Sequence, residues 1–431
     1  MSSKGKSSAK TSGGAALVPK LRFPEFREAG PWKIVSLGSL ISISTKKVGD
    51  KTCIPMSITS GVGLVSQVEK FGRIISGESH KNYLLLQRND FAYNKSATKE
   101  FPEGFIALYT GEELAAVPNS IFSCFRIKGD SPSTEYLNQL FLGNLHGRWL
   151  RNFIEVGART HGSLSINDRD LLAVPVPVPS GASSLDEQEK IANCLASADD
   201  LISAQRRKVE ALKIQKEGLI QKLFPQAGET RPHFRFPEFQ GSGDWETKLG
   251  GELFANRKEK GEAGLPIYSV TMHDGMVPRS SLDRNFYDIE DPAGNRKAHR
   301  GDIAYNMMRM WQGALGTAPE DCMVSPAYVV LKPRSGACAE FFAYFFKLPQ
   351  SLELLTVTSR GLTKDRLRLY FDDFAKMPMC VPDKPEQQRI ADCLTSLDDL
   401  IAAETRKLDT LKTHKKGLMQ QLFPEAGEDE V

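Results

Sequence analysis

One stretch of this chain occurs twice, and that repeat constrains the fold more than any other feature. Residues 187–229 and 386–428 align without a gap at a constant offset of 199, with 26 of 43 positions identical. Each copy follows a longer segment that opens on Arg-Phe-Pro-Glu-Phe, at residues 22–26 and again at 235–239. The chain is therefore a tandem of variable segment, repeat, variable segment, repeat. A duplicated scaffold with two different inserts implies one molecule that holds two different readers at a fixed separation.

The repeat predicts a helix. Apolar residues step by four and three through Ile191, Leu195, Ala198, Ile202, Val209, Leu212, Leu219 and Leu223, a heptad seam broken only where Gln205 and Lys216 fall on it. The second copy gives Ile390, Leu394, Leu397, Ile401, Leu408, Leu411, Leu418 and Leu422, with Glu404 and Lys415 at the breaks. Ser184-x-x-Glu187 and Asp383-x-x-Glu386 have the spacing of capping boxes. Both copies end at Leu-Phe-Pro, where proline cannot continue a helix. Roughly 38 residues at about 1.5 Å rise make a rod on the order of 55 Å long. A lone rod would leave its seam in water, so the copies are expected to pair, antiparallel.

Two registers compete. One sets Lys216 against Glu404 and Gln205 against Lys415, with Val209–Leu411 and Leu212–Leu408 as apolar layers; charge pairing favours it. The other is shifted by one heptad, overlaps more apolar surface and sets Lys216 against Leu397, which a lysine tolerates by snorkelling.

Bulk properties exclude several classes. A chain of 431 residues with 40% hydrophobic and 25% charged residues is neither disordered nor a membrane protein. No apolar run approaches the roughly 18–20 residues of a membrane span, and the N-terminus lacks a signal-peptide core. The seven cysteines include no Cys-x-x-Cys pair, and Cys194 and Cys393, equivalent in the repeat, read as small buried packers. These features point to a reduced, cytoplasmic protein without a metal site. Lys and Arg outnumber Asp and Glu by only 17 to 14 in residues 27–183 and equal them at 18 each in 240–382, so whole-domain charge does not announce nucleic acid. No phosphate-binding Gly-x-x-x-x-Gly-Lys loop, His-Glu-x-x-His or Gly-x-Ser-x-Gly is present, nor the Asn-Pro-Pro-aromatic signature of amino-methyltransferases. The seven histidines form no ligand pair at helical spacing.

The variable segments read as mixed α/β, with short strands and many Gly and Pro turns. They share landmarks: Asp90-Phe-Ala-Tyr93-Asn94 with Asp302-Ile-Ala-Tyr305-Asn306, Ser163-Leu164-Ser165 with Gly361-Leu362-Thr363, and a closing Pro-containing strand suited to a sheet edge, at 174–179 and 377–382. Tyr93 and Tyr305 read as core. Asn94 and Asn306 fit either a turn or a contact role. Side chains that read base edges or phosphates cluster at Asn94, Lys95, Ser96 and Lys99, and at Arg159, His161 and Ser163. In the second segment they cluster at Arg296 and Lys297, at Arg309 and Gln312, and at Arg360, Lys364 and Arg366. For each of them the alternative is a surface or fold-supporting role.

The chain resembles the specificity (S) subunits of type I restriction–modification systems. The resemblance rests on the Arg-Phe-Pro-Glu-Phe openings, the Glu-Gln-x-x-Ile-Ala helices ending in Leu-Phe-Pro, and the run Gly301-Asp302-Ile-Ala-Tyr-Asn-Met-Met-Arg-Met-Trp-Gln-Gly313 with Val324-Ser-Pro-Ala-Tyr328. It implies an α+β fold: two mixed α/β target recognition domains joined by two long helices that form an antiparallel coiled coil. The expected division is a disordered tail (1–20), a first recognition domain (21–183), a spacer helix (184–225), a second recognition domain (226–382), a second spacer helix (383–424) and a tail (425–431). It further implies a non-catalytic chain that reads an asymmetric bipartite site on double-stranded DNA. Such a chain holds two methyltransferase (M) subunits and takes part with restriction (R) subunits in a larger complex. S-adenosylmethionine, ATP and Mg would then sit on those partners, none on this chain, and the target adenine would be flipped out by the partner. The same architecture serving a type II-like enzyme, or a two-headed protein-binding adaptor with a coiled-coil spacer, are the alternatives.

Overall fold

The repeats form two long helices, Ser184–Leu223 and Lys384–Leu422, each ending just before its Phe-Pro. The computed structural model describes residues 17–424 apart from 60–61, 76, 99–100, 155–163, 273 and 283–291. The stretch up to residue 16 and the segment from 425, expected to be tails, lie outside the described residues. Residues 17–20, assigned to the tail, belong to the fold: Leu17 packs against a core and its carbonyl accepts from Trp32 N–H at 2.8 Å.

The chain packs as two units, Met1–Gln205 with Lys407–Val431, and Arg206–Arg406. The division falls inside both long helices, so each unit holds the start of one helix and the end of the other. Within each unit the two segments run antiparallel and close a core. Ile191, Leu195 and Leu422 share one with Trp32 and Tyr136 in the first unit; Leu223, Ile390 and Leu394 share another with Trp245 and Phe341 in the second. Every seam position from Ala198 to Leu223 and from Leu397 to Leu422 is buried or half-buried. Cys194 and Cys393 are half-buried rather than fully enclosed.

The register is the heptad-shifted one, not the charge-paired one. Lys216 Nζ lies 2.5 Å from Asp398 Oδ1, next to Leu397, and Glu404 is taken by Lys208 Nζ at 2.6 Å. Lys415, expected to face Gln205, binds both oxygens of Asp199 at 2.6 and 2.7 Å. Both seam lysines thus reach a carboxylate one residue off the seam, which removes the cost of setting them against apolar layers.

The variable segments share one frame. In the first unit a four-stranded antiparallel sheet has the order Ile41–Ser44, Phe122–Ile127, Phe91–Asn94, Phe105–Leu108. In the second the order is Phe254–Arg257, Tyr328–Pro333, Ile303–Asn306, Leu315–Thr317. The Asp-x-Ala-Tyr-Asn landmark is an inner strand of this sheet in both. The Pro-containing strands Pro175–Val178 and Pro378–Val381 each pair antiparallel with one strand, Lys33–Ser36 and Glu246–Leu249, before the chain enters its long helix. Beyond this frame the units differ. The first adds a four-stranded sheet with one parallel pair, whereas the second adds two separate two-stranded ribbons. Among the described residues no helix is long and apolar enough to cross a membrane.

Candidate nucleic-acid interface

The shared landmark works in the same way in both units. Asp90 Oδ2 accepts from Gln87 N–H and Asp302 Oδ2 from His299 N–H, at 2.7 and 2.8 Å, fixing the turn before the strand. Each of these buried carboxylates is neutralised by an arginine from another strand of the same sheet, Arg126 on the adjacent strand in the first unit and Arg257 on the edge strand one further out in the second, with a 2.6 Å and a 2.5 Å bond. Tyr93 and Tyr305 are fully buried and donate to backbone carbonyls of Glu103 and Leu369. Burial pushes both phenols well above their ordinary range, so they stay neutral. The asparagine that ends each strand holds the next turn: Asn94 Oδ1 accepts from Ser96 N–H at 3.1 Å, and Asn306 Oδ1 from Met308 N–H at 3.0 Å. Asn94 is buried and engaged, so its side chain is a turn device.

The strand then releases its loop to the surface. In the first unit Lys95 and Ser96 are half-buried, and Lys95 O accepts from Leu164 N–H at 2.7 Å. That bond ties the turn to the segment that follows residue 163. Lys99, Arg159, His161 and Ser163 lie outside the described residues.

In the second unit two expected clusters come together. Leu369 N–H donates to Met307 O at 3.0 Å, which sets the 306–313 turn alongside the stem of the 360–368 hairpin. Arg309 is exposed, with Nη1 on Gln312 Oε1 at 3.2 Å. Arg360, Lys364 and Arg366 are exposed. Arg360 is anchored to Asp373 at 2.6 Å, and that bond raises its pKa further. Arg296 and Lys297 stand apart from this cluster, on the ribbon Arg296–Ala298 paired with Cys322–Val324. Lys297 is held by Glu262 at 2.7 Å, which raises its pKa. Among the described residues no group of three His, Cys, Asp or Glu side chains is placed to hold a metal ion.

The repeat also builds something that spacing alone did not reveal. Each Arg-Phe-Pro-Glu-Phe opening docks on the first turn of its long helix. Arg22 Nε and Nη2 donate to the two carboxylate oxygens of Glu187, both at 2.8 Å; Arg235 does the same to Glu386 at 2.8 and 2.6 Å. Both pairs are buried, with side chains 7% and 1% exposed in the first and 7% and 3% in the second. These glutamates therefore do not close capping boxes. The first helix already includes Ser184, whose hydroxyl donates to Pro179 O, and a buried guanidinium outcompetes a lone backbone N–H for the carboxylate. The neighbouring glutamines reach into the variable segment. Gln188 Oε1 accepts from Ser133 N–H and Gln387 Oε1 from Cys338 N–H, both at 2.9 Å, where the helices Thr134–Leu142 and Ala339–Phe345 begin. A surface pair repeats as well, Glu25–Lys190 and Glu238–Arg389. The sequence signal was available: Arg-Phe-Pro-Glu-Phe and Glu-Gln recur together although most of what lies between them diverges.

Comparison with known proteins follows this geometry. Residues 250–413 match the family profile described as type I restriction modification DNA specificity domain. The chain is 25% identical over 342 residues, 74% of each chain, to a putative type I restriction enzyme MjaX specificity subunit of Methanocaldococcus jannaschii. Over 187 residues it is 23% identical to the type I restriction enzyme HindI specificity subunit of Haemophilus influenzae, covering 42% of this chain and 41% of that one. Its fold is shared with the S subunit of a type I restriction-modification system from M. genitalium, at a TM-score of 0.57 and 14% identity, covering 95% of this chain and 100% of that one. A chain solved in work on complex assembly of the type I R-M system gives a TM-score of 0.53 at 16% identity, covering 91% and 97%.

Proposed function

Because this chain resembles type I restriction–modification specificity subunits, we propose that it is a non-catalytic subunit of that kind and that its two units each read one half of an asymmetric, bipartite site on double-stranded DNA. The observation that carries this is the duplicated frame with unlike surfaces. Both units have the same sheet order, the same arginine–glutamate clamp and the same asparagine-held turn, yet different loops leave that turn. Equal scaffolds with unequal loops are what two unlike half-sites demand. In the second unit Arg309, Gln312, Arg360, Lys364 and Arg366 form the contact surface, with Arg296 and Lys297 as a separate basic ribbon. In the first, Lys95 and Ser96 begin it, and Lys99, Arg159, His161 and Ser163 continue it.

The long helices act as spacer and as the seat of two adenine methyltransferase subunits, one for each half; restriction subunits complete the assembly. S-adenosylmethionine, ATP and Mg belong to those partners. Recognition domains this close to charge neutrality bind DNA weakly alone, and partner subunits supply the remaining phosphate contacts.

The test is methylome sequencing of cells that express the chain with its methyltransferase partner, against cells that lack it. The expected result is a new asymmetric adenine-methylation motif in two parts, lost on deletion and altered in one part only when one recognition segment is replaced. An active partner with no such motif would overturn the proposal in favour of a protein-binding adaptor.

A further inference from the structure

The hairpin that carries Arg360, Lys364 and Arg366 presents a side chain that its fold does not use. Leu362 is 100% exposed. It does not sit on a slack loop. Arg360 and Arg368 exchange both backbone hydrogen bonds at 2.9 Å, closing the stem. Leu367 and Leu369 are buried beneath it, and Arg360 is tied to Asp373. The crossing above the stem is closed by glycine: a Cβ at Gly361 would lie 2.6 Å from Arg366 O and 2.8 Å from Arg366 C, backbone atoms that cannot give way. The pinch leaves a short, fixed tip with a leucine at its end. Lys364, Arg366 and Arg368 follow it in the same hairpin, are exposed and make no ion pair with the other described side chains. An isolated surface leucine is unremarkable by itself. A leucine held out on a pre-formed tip beside three exposed cations is shaped for a partner that offers negative charge at its rim and an apolar slot within. Duplex DNA offers both, in phosphates and stacked bases.

We propose that Leu362 is an apolar wedge that enters a base step of the half-site read by the second unit. Arg366 and Lys364 hold the flanking phosphates while the leucine partly unstacks the bases. Unstacking is cheapest at flexible pyrimidine–purine steps, so the wedge adds sequence preference at a position without a hydrogen-bonded contact. This inference rests on the DNA-reading function proposed above. In the first unit the leucine at the matching landmark, Leu164, is packed against the core instead.

The experiment uses the chain assembled with its methyltransferase partner and duplexes carrying its methylation motif. 2-Aminopurine replaces one base at a time in each half-site, leaving the methylated adenine in place so that base flipping is not scored. The expected result is a several-fold rise in fluorescence at one step on binding. It is lost in Leu362→Ala and kept in Leu362→Met at saturating complex. Because Leu362 touches no core, the alanine variant folds as the parent does. A Leu362→Ala complex with unchanged fluorescence and affinity overturns the wedge, as does one that binds DNA normally but loses its methyltransferase partner, which would make the tip a protein contact. If the wild-type assembly shows no sequence-dependent methylation, the DNA reading itself fails; if it methylates and only the fluorescence test is negative, the wedge alone fails.

Discussion

Removing Glu386 should unfasten the second recognition domain from its helix. Arg235 makes two charge-assisted bonds to Glu386, and its Nη1 donates to Ser242 O and Gly243 O at 2.9 and 2.8 Å. In Glu386→Ala the guanidinium stays buried and keeps only the two carbonyl contacts. Leaving a buried ion unpaired costs about 3–5 kcal/mol. For a unit of this size, with each kcal/mol shifting Tm by about 2–4 °C, the transition of the second unit should fall by about 6–20 °C. Replacing both partners with apolar side chains, Arg235→Met with Glu386→Leu, removes the stranded charge and should recover most of that loss. The design is a double-mutant cycle followed by calorimetry, with hydrogen exchange read separately over Arg206–Arg406 and over the rest of the chain. The expected coupling is about 2 kcal/mol or more, with protection lost first in the second unit. A Glu386→Ala protein destabilised by less than about 1 kcal/mol, or a double variant as unstable as the two single losses added, refutes the reasoning.

Two further predictions follow. His146 is wholly buried, its Nε2–H donating to Gly104 O at 3.3 Å, and burial lowers its pKa from 6.5 to about 4. Below pH 6.5 the unfolded chain takes up a proton that the folded one refuses, so stability declines as pH falls toward 4, by about 3 kcal/mol in all. Urea unfolding at stepped pH should show this decline in the parent and a flatter profile in His146→Gln. Arg309→Ala should relax base preference in one part of the methylation motif, weakening binding by about 1–3 kcal/mol, whereas Arg366→Ala and Lys364→Ala should each weaken all sequences alike and lower the salt slope by about one; competition binding at several salt concentrations separates the two patterns.

The helices were legible because a heptad seam is local information, visible in any sequence window. Their register was not, because it turns on which side chains one residue off the seam can reach across. The deciding facts were nevertheless in the repeat. Lys216 and Lys415 are equivalent, as are Asp398 and Asp199, so a register that satisfies one pair satisfies the other, and the structure has both. The rejected register turns the same lysines into one ion pair and one neutral contact with Gln205. Counting each candidate pair together with its repeat-related twin would have chosen correctly, because the observed register gives both lysines a carboxylate and the rejected one leaves Lys415 on a neutral glutamine.

The recognition surface was legible in a different measure. The landmark strand was visible as sequence, and its tyrosines are core. Its asparagine had two readings, and local chemistry decided between them: an asparagine at a strand end is two residues from an N–H it can satisfy, and both copies do so. Surface loops carry no such local arithmetic. Arg309 and Arg366 lie 57 residues apart in sequence, and their two loops are brought alongside by the bond from Leu369 to Met307, a contact set by the whole sheet. The clamp lies between these extremes. Arg235 and Glu386 are 151 residues apart, yet their co-occurrence in a chain that repeats both motifs and little between them marks a contact. What duplication preserves, while the intervening segments diverge, is the joint by which each reader is held at a set angle to its helix. A loosened joint should therefore impair methylation of the target even when the recognition loops are intact.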